Sequence, residues 1–329
     1  MRSGGVPMPE TGRGRWAVAL AVATVVATAC NSGGSSGPKA ASSSSTSAAA
    51  AAPVVDWNAV DGAVGRKGDV LAGDVHRYSF PRSDLKVTLD GTALKAGFAL
   101  GSYAAFVATA KDVAVMGDLV LTEAEISPVM AKLQEQGLEV SAVHNHLLRD
   151  QPKVMYMHYV GRSTDAVALA RGLHTALAAS ATPLAAPPAP TPTTPADLGF
   201  DPTEIDRILG RAGTTGGGLQ KYGIARAEPV TMGGDVHLTP ALGVGTVINF
   251  QPLGGGRAAI TGDFALLGQE VTPVAKALRG KGIEVTAVHT HMTDDNPHLY
   301  YMHFFATGAA TDLARGLRAA VDLTNSARG

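Results

Sequence analysis

Cysteine occurs once in the 329 residues, at position 30. A single thiol excludes a disulfide framework and any cysteine-rich zinc or iron–sulfur site. Aromatic residues make up only 5% of the chain and charged residues 17%, with 27 Lys and Arg against 28 Asp and Glu. No Lys/Arg run marks a nucleic-acid footprint, so no nucleic-acid partner is expected. Gly254-Gly255-Gly256 is not followed by Lys-Ser or Lys-Thr. It reads as a hairpin turn rather than a phosphate loop, and no nucleotide cofactor is expected. No serine of the repeated units described below sits in a G-x-S-x-G turn, so a serine-hydrolase reading is poor. What is abundant is apolar material, at 45%. That suffices for a sizeable core and excludes global disorder.

The N-terminus reads as an export signal. Arg2, Arg13 and Arg15 precede fourteen uncharged residues, Trp16 to Ala29, and Cys30 follows at once. A basic segment, a short apolar stretch and small residues before a cut describe a secretory signal over 1–29. Fourteen residues fall short of the about 20 that span a bilayer. Ala27-Thr28-Ala29-Cys30 resembles a bacterial lipobox. That resemblance implies acylation of Cys30 with diacylglyceryl and palmitate-type chains, and an outward-facing anchor in the bacterial cell membrane. Residues 30–54 are rich in Ser, Ala and Gly and read as the lipidated cysteine followed by a flexible tether.

The remainder is one module written twice. Residues 117–158 align without a gap on 262–303, at an offset of 145, with 19 of 42 positions identical. Upstream, Asp56, Asp61, Gly65 and Gly68 answer to Asp201, Asp206, Gly210 and Gly213, and Tyr78 and Arg82 to Tyr222 and Arg226. The duplication defines repeat units over 55–180 and 200–325, joined by an Ala/Pro/Thr linker over 181–199.

Each unit begins with a short helix, near 57–65 and 202–210, followed by strands that include 112–121 and 257–266. Ser127-Pro128 and Thr272-Pro273 pattern as helix starts, and Gly137 and Gly282 as helix ends. Strands follow at 138–147 and 153–161, with equivalents at 283–292 and 298–306. Final helices cover 163–178 and 309–322. The order β-α-β-β-α suggests an α+β fold. Each unit would be a mainly antiparallel sheet covered by helices, and the two units would pair about a pseudo-two-fold axis.

Six of the ten histidines fall at matched places: His144, His146 and His158, then His289, His291 and His303. Alternation puts His144 and His146 on one strand face. A turn centred near residue 151 sets His158 opposite His144 and Tyr156 opposite His146. A turn centred near 296 does the same with His303, His289, Tyr301 and His291. Val140, Ala142, Val154 and Val160 continue that face, so a buried His-rich pocket is expected in each repeat. Three imidazoles on neighbouring strands suit a divalent transition metal, zinc first and copper or iron second. The same pattern also suits a metal-free hydrogen-bonded network that pins the hairpin. Met155, Met157 and Met302 read as core filling on the other face, with copper ligation the alternative.

Asp118 and Asp263, each after a glycine in an apolar strand, are the first candidates to orient an imidazole or act as general base. Glu125, Glu270, Glu139, Glu284, Asp150 and Asp295 read chiefly as caps, turn formers or solvated charges. The catalytic residues stay unassigned.

At these residues the sequence resembles the LppY/LpqO-type bacterial lipoproteins. The matching stretches are PRSDLKVTLDG (81–91), ALGSYAAF (99–106) and AVHNHLLRDQPKVMYMH (142–158). In the second copy they are INFQPLGGGRAAITGDFAL (248–266) and EVTAVHTHMTDDNPHLYYMHFF (284–305). The likeness runs over 53–325. It implies an exported or lipid-anchored protein built on a duplicated domain of unknown function, with no reaction or ligand set to transfer. Three readings follow: a metal-binding lipoprotein; a metal-free module for an unknown small molecule or protein; and a metal-dependent hydrolase.

Overall fold

The computed structural model describes residues 54–185 and 198–328. The expected signal, Cys30, and most of the tether and linker lie outside them. No described helix is long and apolar enough to cross a membrane.

The first unit runs α1 (Trp57–Val64), β1 (Asp69–Leu71), β2 (Val75–Pro81), β3 (Thr88–Leu89), β4 (Thr92–Ala93), α2 (Ala96–Ala99), β5 (Gly101–Ala108) and β6 (Val113–Thr122). It continues with α3 (Glu123–Glu135), β7 (Glu139–His144), β8 (Val154–Ser163) and α4 (Ala166–Leu177). The second unit runs α5 (Pro202–Leu209), β9 (Thr214–Gly216), β10 (Leu219–Ile224), β11 (Val230–Met232), β12 (Val236–Leu238), a 3-10 turn, β13 (Thr246–Gly254) and β14 (Arg257–Leu267). It ends with α6 (Gly268–Arg279), β15 (Glu284–His289), β16 (Asp295–Asn296), β17 (Leu299–Ala309) and α7 (Ala310–Val321).

Each unit forms one six-stranded antiparallel sheet. The orders β1-β2-β5-β6-β8-β7 and β9-β10-β13-β14-β17-β15 are the same arrangement. The fold is therefore α+β and duplicated, as the sequence pattern implied. Matched residues do matched work. Asp61 Oδ1 accepts from Gly68 N and from the Tyr78 hydroxyl, and Asp206 Oδ1 accepts from Gly213 N and Tyr222. Gly65 and Gly210 close α1 and α5 at φ 84° and 71°, which only glycine adopts without strain.

The helices cover one face of each sheet. Leu133, Leu169 and Leu173 pack with Val115, Leu119 and Met157; Leu278, Leu313 and Leu317 pack with Ile260, Phe264 and Met302. Met157 and Met302 are thus core filling. The opposite faces of the two sheets pack on each other. Met116 and Ala105 share a cluster with Ala265 and Tyr301, and Val120 and Tyr156 share another with Leu219 and Phe305. Strand β6 is buried along nearly its whole length because helices lie on one side of it and the second sheet on the other.

Two expectations need correction. Helices α3 and α6 start at Glu123 and Gly268, not at the Ser-Pro and Thr-Pro pairs, so Pro128 and Pro273 lie inside the helices. The earlier start is fixed by Glu125 and Glu270, whose carboxylates reach back to the amides of Thr122 and Leu267. The same carboxylates hold Arg82 and Arg226. Arg82 is fully buried and donates to Asp84, Glu125 and Val120 O; Arg226 is matched by Glu228, Glu270 and Ala265 O.

The hairpin register also differs. Val140 pairs with Tyr159, but Ala142 pairs with His158 and His144 with Tyr156; in the second copy Ala287 pairs with His303 and His289 with Tyr301. A bulge at Ser141 and at Thr286 inserts one residue into each edge strand. The bulge shifts alternation, so Val140 packs against the helix-side core rather than continuing the histidine face.

Candidate metal centre shared by two repeats

The bulges aim both edge strands at the line where the sheets meet. The Ser141 hydroxyl donates to His291 O and the Thr286 hydroxyl to His146 O. These reciprocal bonds are the signature of a two-fold pairing. Asn145 adds a bond to Thr286 O at 3.0 Å, and Arg149 crosses to Glu284 at 2.8 Å.

The expected pocket in each repeat is replaced by one shared cluster. His144 stacks on its own equivalent, His289, at 3.5 Å between ring centroids. His146 stacks on His303 at 3.7 Å, and the reciprocal pair His158 and His291 stacks at 3.8 Å. Tyr156 and Tyr301 cover the outer faces of His146 and His291, each at 3.3 Å. The Tyr156 hydroxyl donates to Ala99 O, whereas that of Tyr301 has no partner.

Asp118 and Asp263 join from the neighbouring strands, directly opposite His158 and His303. Their Oδ2 atoms lie 3.4 and 3.2 Å from His146 Nε2 and His291 Nε2, without hydrogen-bond geometry. All eight sequence-predicted His and Asp residues therefore meet in one place. Asp150 and Asp295 stay in the turns, accepting from Val154 N and Leu299 N. Glu139 is exposed.

The protonation pattern follows from the backbone. His158 and His303 place Nδ1 at 3.3 and 2.9 Å from the carbonyls of Gly117 and Gly262. A carbonyl only accepts, so Nδ1 carries the proton and Nε2 offers its lone pair. That lone pair meets nothing. Nε2 of all six histidines, Nδ1 of His289, and Oδ1 of both aspartates are buried without a hydrogen-bond partner. Unpaired buried polar atoms cost roughly 1–3 kcal/mol each, so nine together demand an explanation.

Burial pushes the His144 imidazole down to about 4, and His146, His158 and His291 well below the usual histidine range. Burial, helped by repulsion from its four imidazole neighbours, lowers His289 too. The cluster is thus a set of neutral imidazoles. Burial raises Asp118 to about 8, with Asp263 adding to the rise, and raises Asp263 to about 6 against the pull of His303.

Three overlapping trios place one donor atom of each member within 4.8 Å of the others: His144, His289 and His303; His158, His289 and His291; Asp118, His144 and His158. A cavity of about 540 Å³ opens beside the cluster, between the two sheets, and reaches both aspartates. Sequence reasoning missed the convergence of the two triads. It also left Arg82 and Arg226 without a role, although both recur at matched positions.

The two matched units make the chain a tandem-repeat protein. The chain belongs to the family called Domain of Unknown Function (DUF1259), which matches residues 58–179 and again 203–323. No curated protein matches it. Among solved structures, EtuB from Clostridium kluyveri is similar at 11% identity and a TM-score of 0.22, over 78% of this chain and 90% of that one. A trimeric bacterial microcompartment shell protein, PduB, is similar at 15% identity and a TM-score of 0.19, over 77% and 87%.

Proposed function

We propose that this chain is an exported, lipid-anchored cell-envelope protein that binds a divalent transition metal where its two repeats meet. The observation that carries the metal reading is the set of nine unpartnered donor atoms on His144, His146, His158, His289, His291, His303, Asp118 and Asp263. Neutral imidazole is the ligand of zinc, copper, iron and nickel. The Nδ1–H bonds to Gly117 O and Gly262 O are of the kind that orient metal-ligating histidines. Zinc ranks first, since it accepts nitrogen and carboxylate together, and copper or iron second. The anchor rests on the sequence: the segment ending at Cys30 and the resemblance to LppY/LpqO-type lipoproteins.

Metal-assisted hydrolysis is the second reading. Its support is that Asp118 and Asp263 line both the cluster and the adjoining cavity: the histidines would hold a metal that supplies Lewis acidity, and the carboxylates would stand beside it as proton acceptors.

The test is elemental analysis of the untagged full chain, purified without chelator or nickel resin. Near-stoichiometric zinc, copper or iron, lost in the His144→Ala/His289→Ala variant, is the expected result. A folded chain that carries no metal and takes up none on titration overturns the metal reading and leaves a histidine-pinned module.

A further inference from the structure

We propose that the cavity beside the histidines binds one small organic anion, held by Arg77 and Lys221. The inference goes beyond the metal reading and does not require a metal.

The cavity, at about 540 Å³, has the size of a small-molecule site. Arg77 and Lys221 occupy equivalent positions of the two repeats, one residue before Tyr78 and Tyr222, and both line it. The duplication thus brings two cations to one space. The other arginines of this seam are spoken for: Arg149 and Arg162 each hold two carboxylates. Among the described residues neither Arg77 nor Lys221 is within ion-pair distance of one.

Their protein contacts hold them in place without neutralising them. The Arg77 guanidinium lies 3.7 Å over the Tyr103 ring and gives one hydrogen bond, to Ala241 O at 2.9 Å. Lys221 Nζ gives one, to Gly97 O at 2.8 Å. A guanidinium has five N–H donors and an ammonium three, so both retain donors for a ligand. Lys221 is half-buried, and burial lowers its pKa, which marks an ammonium short of a counter-charge.

The two carboxylates on the same walls do not fill that need. Asp118 Oδ2 lies 3.4 Å from His146 Nε2 and, although it feels the Arg77 charge, forms no ion pair with it. Asp263 lies beside His303 and His291 rather than beside Lys221. Phe98 and Val247 add apolar wall, which suits an organic body rather than a bare inorganic ion. A planar fork and a point charge together select a carboxylate or a phosphate ester.

Isothermal titration of the full chain with benzoate and phenyl phosphate, and with neutral benzyl alcohol as control, tests this. The expected result is one anion site per chain and at least tenfold weaker binding of benzyl alcohol. Arg77→Gln and Lys221→Gln should each weaken the anion tenfold or more. Metal content should stay unchanged and both variants should remain folded, and Arg77→Lys should restore most of the affinity. Absence of anion binding, equal binding of benzyl alcohol, or unaltered affinity in folded Lys221→Gln overturns the proposal. Elemental analysis of the same samples separates the two readings. A metal-free chain whose anion binding depends on Arg77 and Lys221 upholds this site and overturns the metal site. A metal-loaded chain that binds no anion overturns this proposal alone.

Discussion

Acidification of the metal-free protein should unfold it steeply. Five of the six cluster histidines, His144, His146, His158, His289 and His291, are held neutral by burial, and His303, lowered by burial but pulled back by Asp263, adds less; in the unfolded chain each has a pKa of about 6.5. A folded pKa below the unfolded one means that stability is present above pH 6.5 and is lost as pH falls. For His144, whose folded value is about 4, the loss is complete near pH 4 and amounts to about 3 kcal/mol. Asp118 and Asp263 act in the opposite sense. Their folded values of about 8 and 6 lie above the unfolded value of about 3.9, so at pH 5 they release protons on unfolding. Five taken up and two released leave a net uptake of roughly three protons at pH 5, or about 4 kcal/mol per pH unit. Against a typical total stability of about 5–15 kcal/mol, the roughly 8 kcal/mol lost over two pH units below 6.5 removes half of it or more. Urea midpoints of chelator-treated protein from pH 7 to 4, with direct titration of proton uptake on unfolding, measure the slope. His144→Gln/His289→Gln should reduce the uptake by about two protons. A stability independent of pH over this range would refute the neutral, buried cluster.

Three further outcomes are expected. Arg82→Met should lower stability by about 3 kcal/mol or more, because Glu125 and Asp84 lose their counter-charge, and Arg226→Met should do the same in the second repeat; thermal denaturation checks both. Gly117→Ala should destabilise by about 1–3 kcal/mol, since a Cβ there would clash with Tyr103 O and the Tyr159 ring, and it should also displace Asp118, read as reduced metal content. Met157→Ala should cost about 2–5 kcal/mol in urea denaturation while metal content stays at the wild-type level, since the thioether is buried against the helices; loss of copper in that variant would instead make it a ligand.

Local chemistry made much of the fold legible. Helix α1 was expected over 57–65 and spans Trp57–Val64, because Asp56 caps its start and Gly65 its end. The three glycines 254–256 do turn the β13–β14 hairpin, each at positive φ. The candidate residues were legible too, since a duplication that keeps H-x-H and Gly-Asp displays them twice. Their arrangement was not. The hairpins turn one residue earlier than expected, about 150 and 295, which sets Tyr156 and Tyr301 opposite His144 and His289, and nothing in Ser141 or Thr286 as residue types announces the bulges that follow. Pairing within one hairpin also says nothing about what a sheet's second face meets. The apolar inner positions of β6 and β14 could have been covered by helices as well as by a second sheet. Only the packed pair shows that the two triads complete a single cluster. For the same reason nothing in the sequence pattern singled out Arg77 and Lys221, which come to one cavity only when the sheets pack.

The most direct measurement is the metal stoichiometry of two single variants, His144→Ala and His289→Ala, each made in the full chain. A shared centre at the trio His144, His289 and His303, which draws on both repeats, predicts that either substitution alone removes most of the metal bound by the wild-type chain. Retention of half the wild-type metal in each would contradict the shared centre and return a separate site to each repeat.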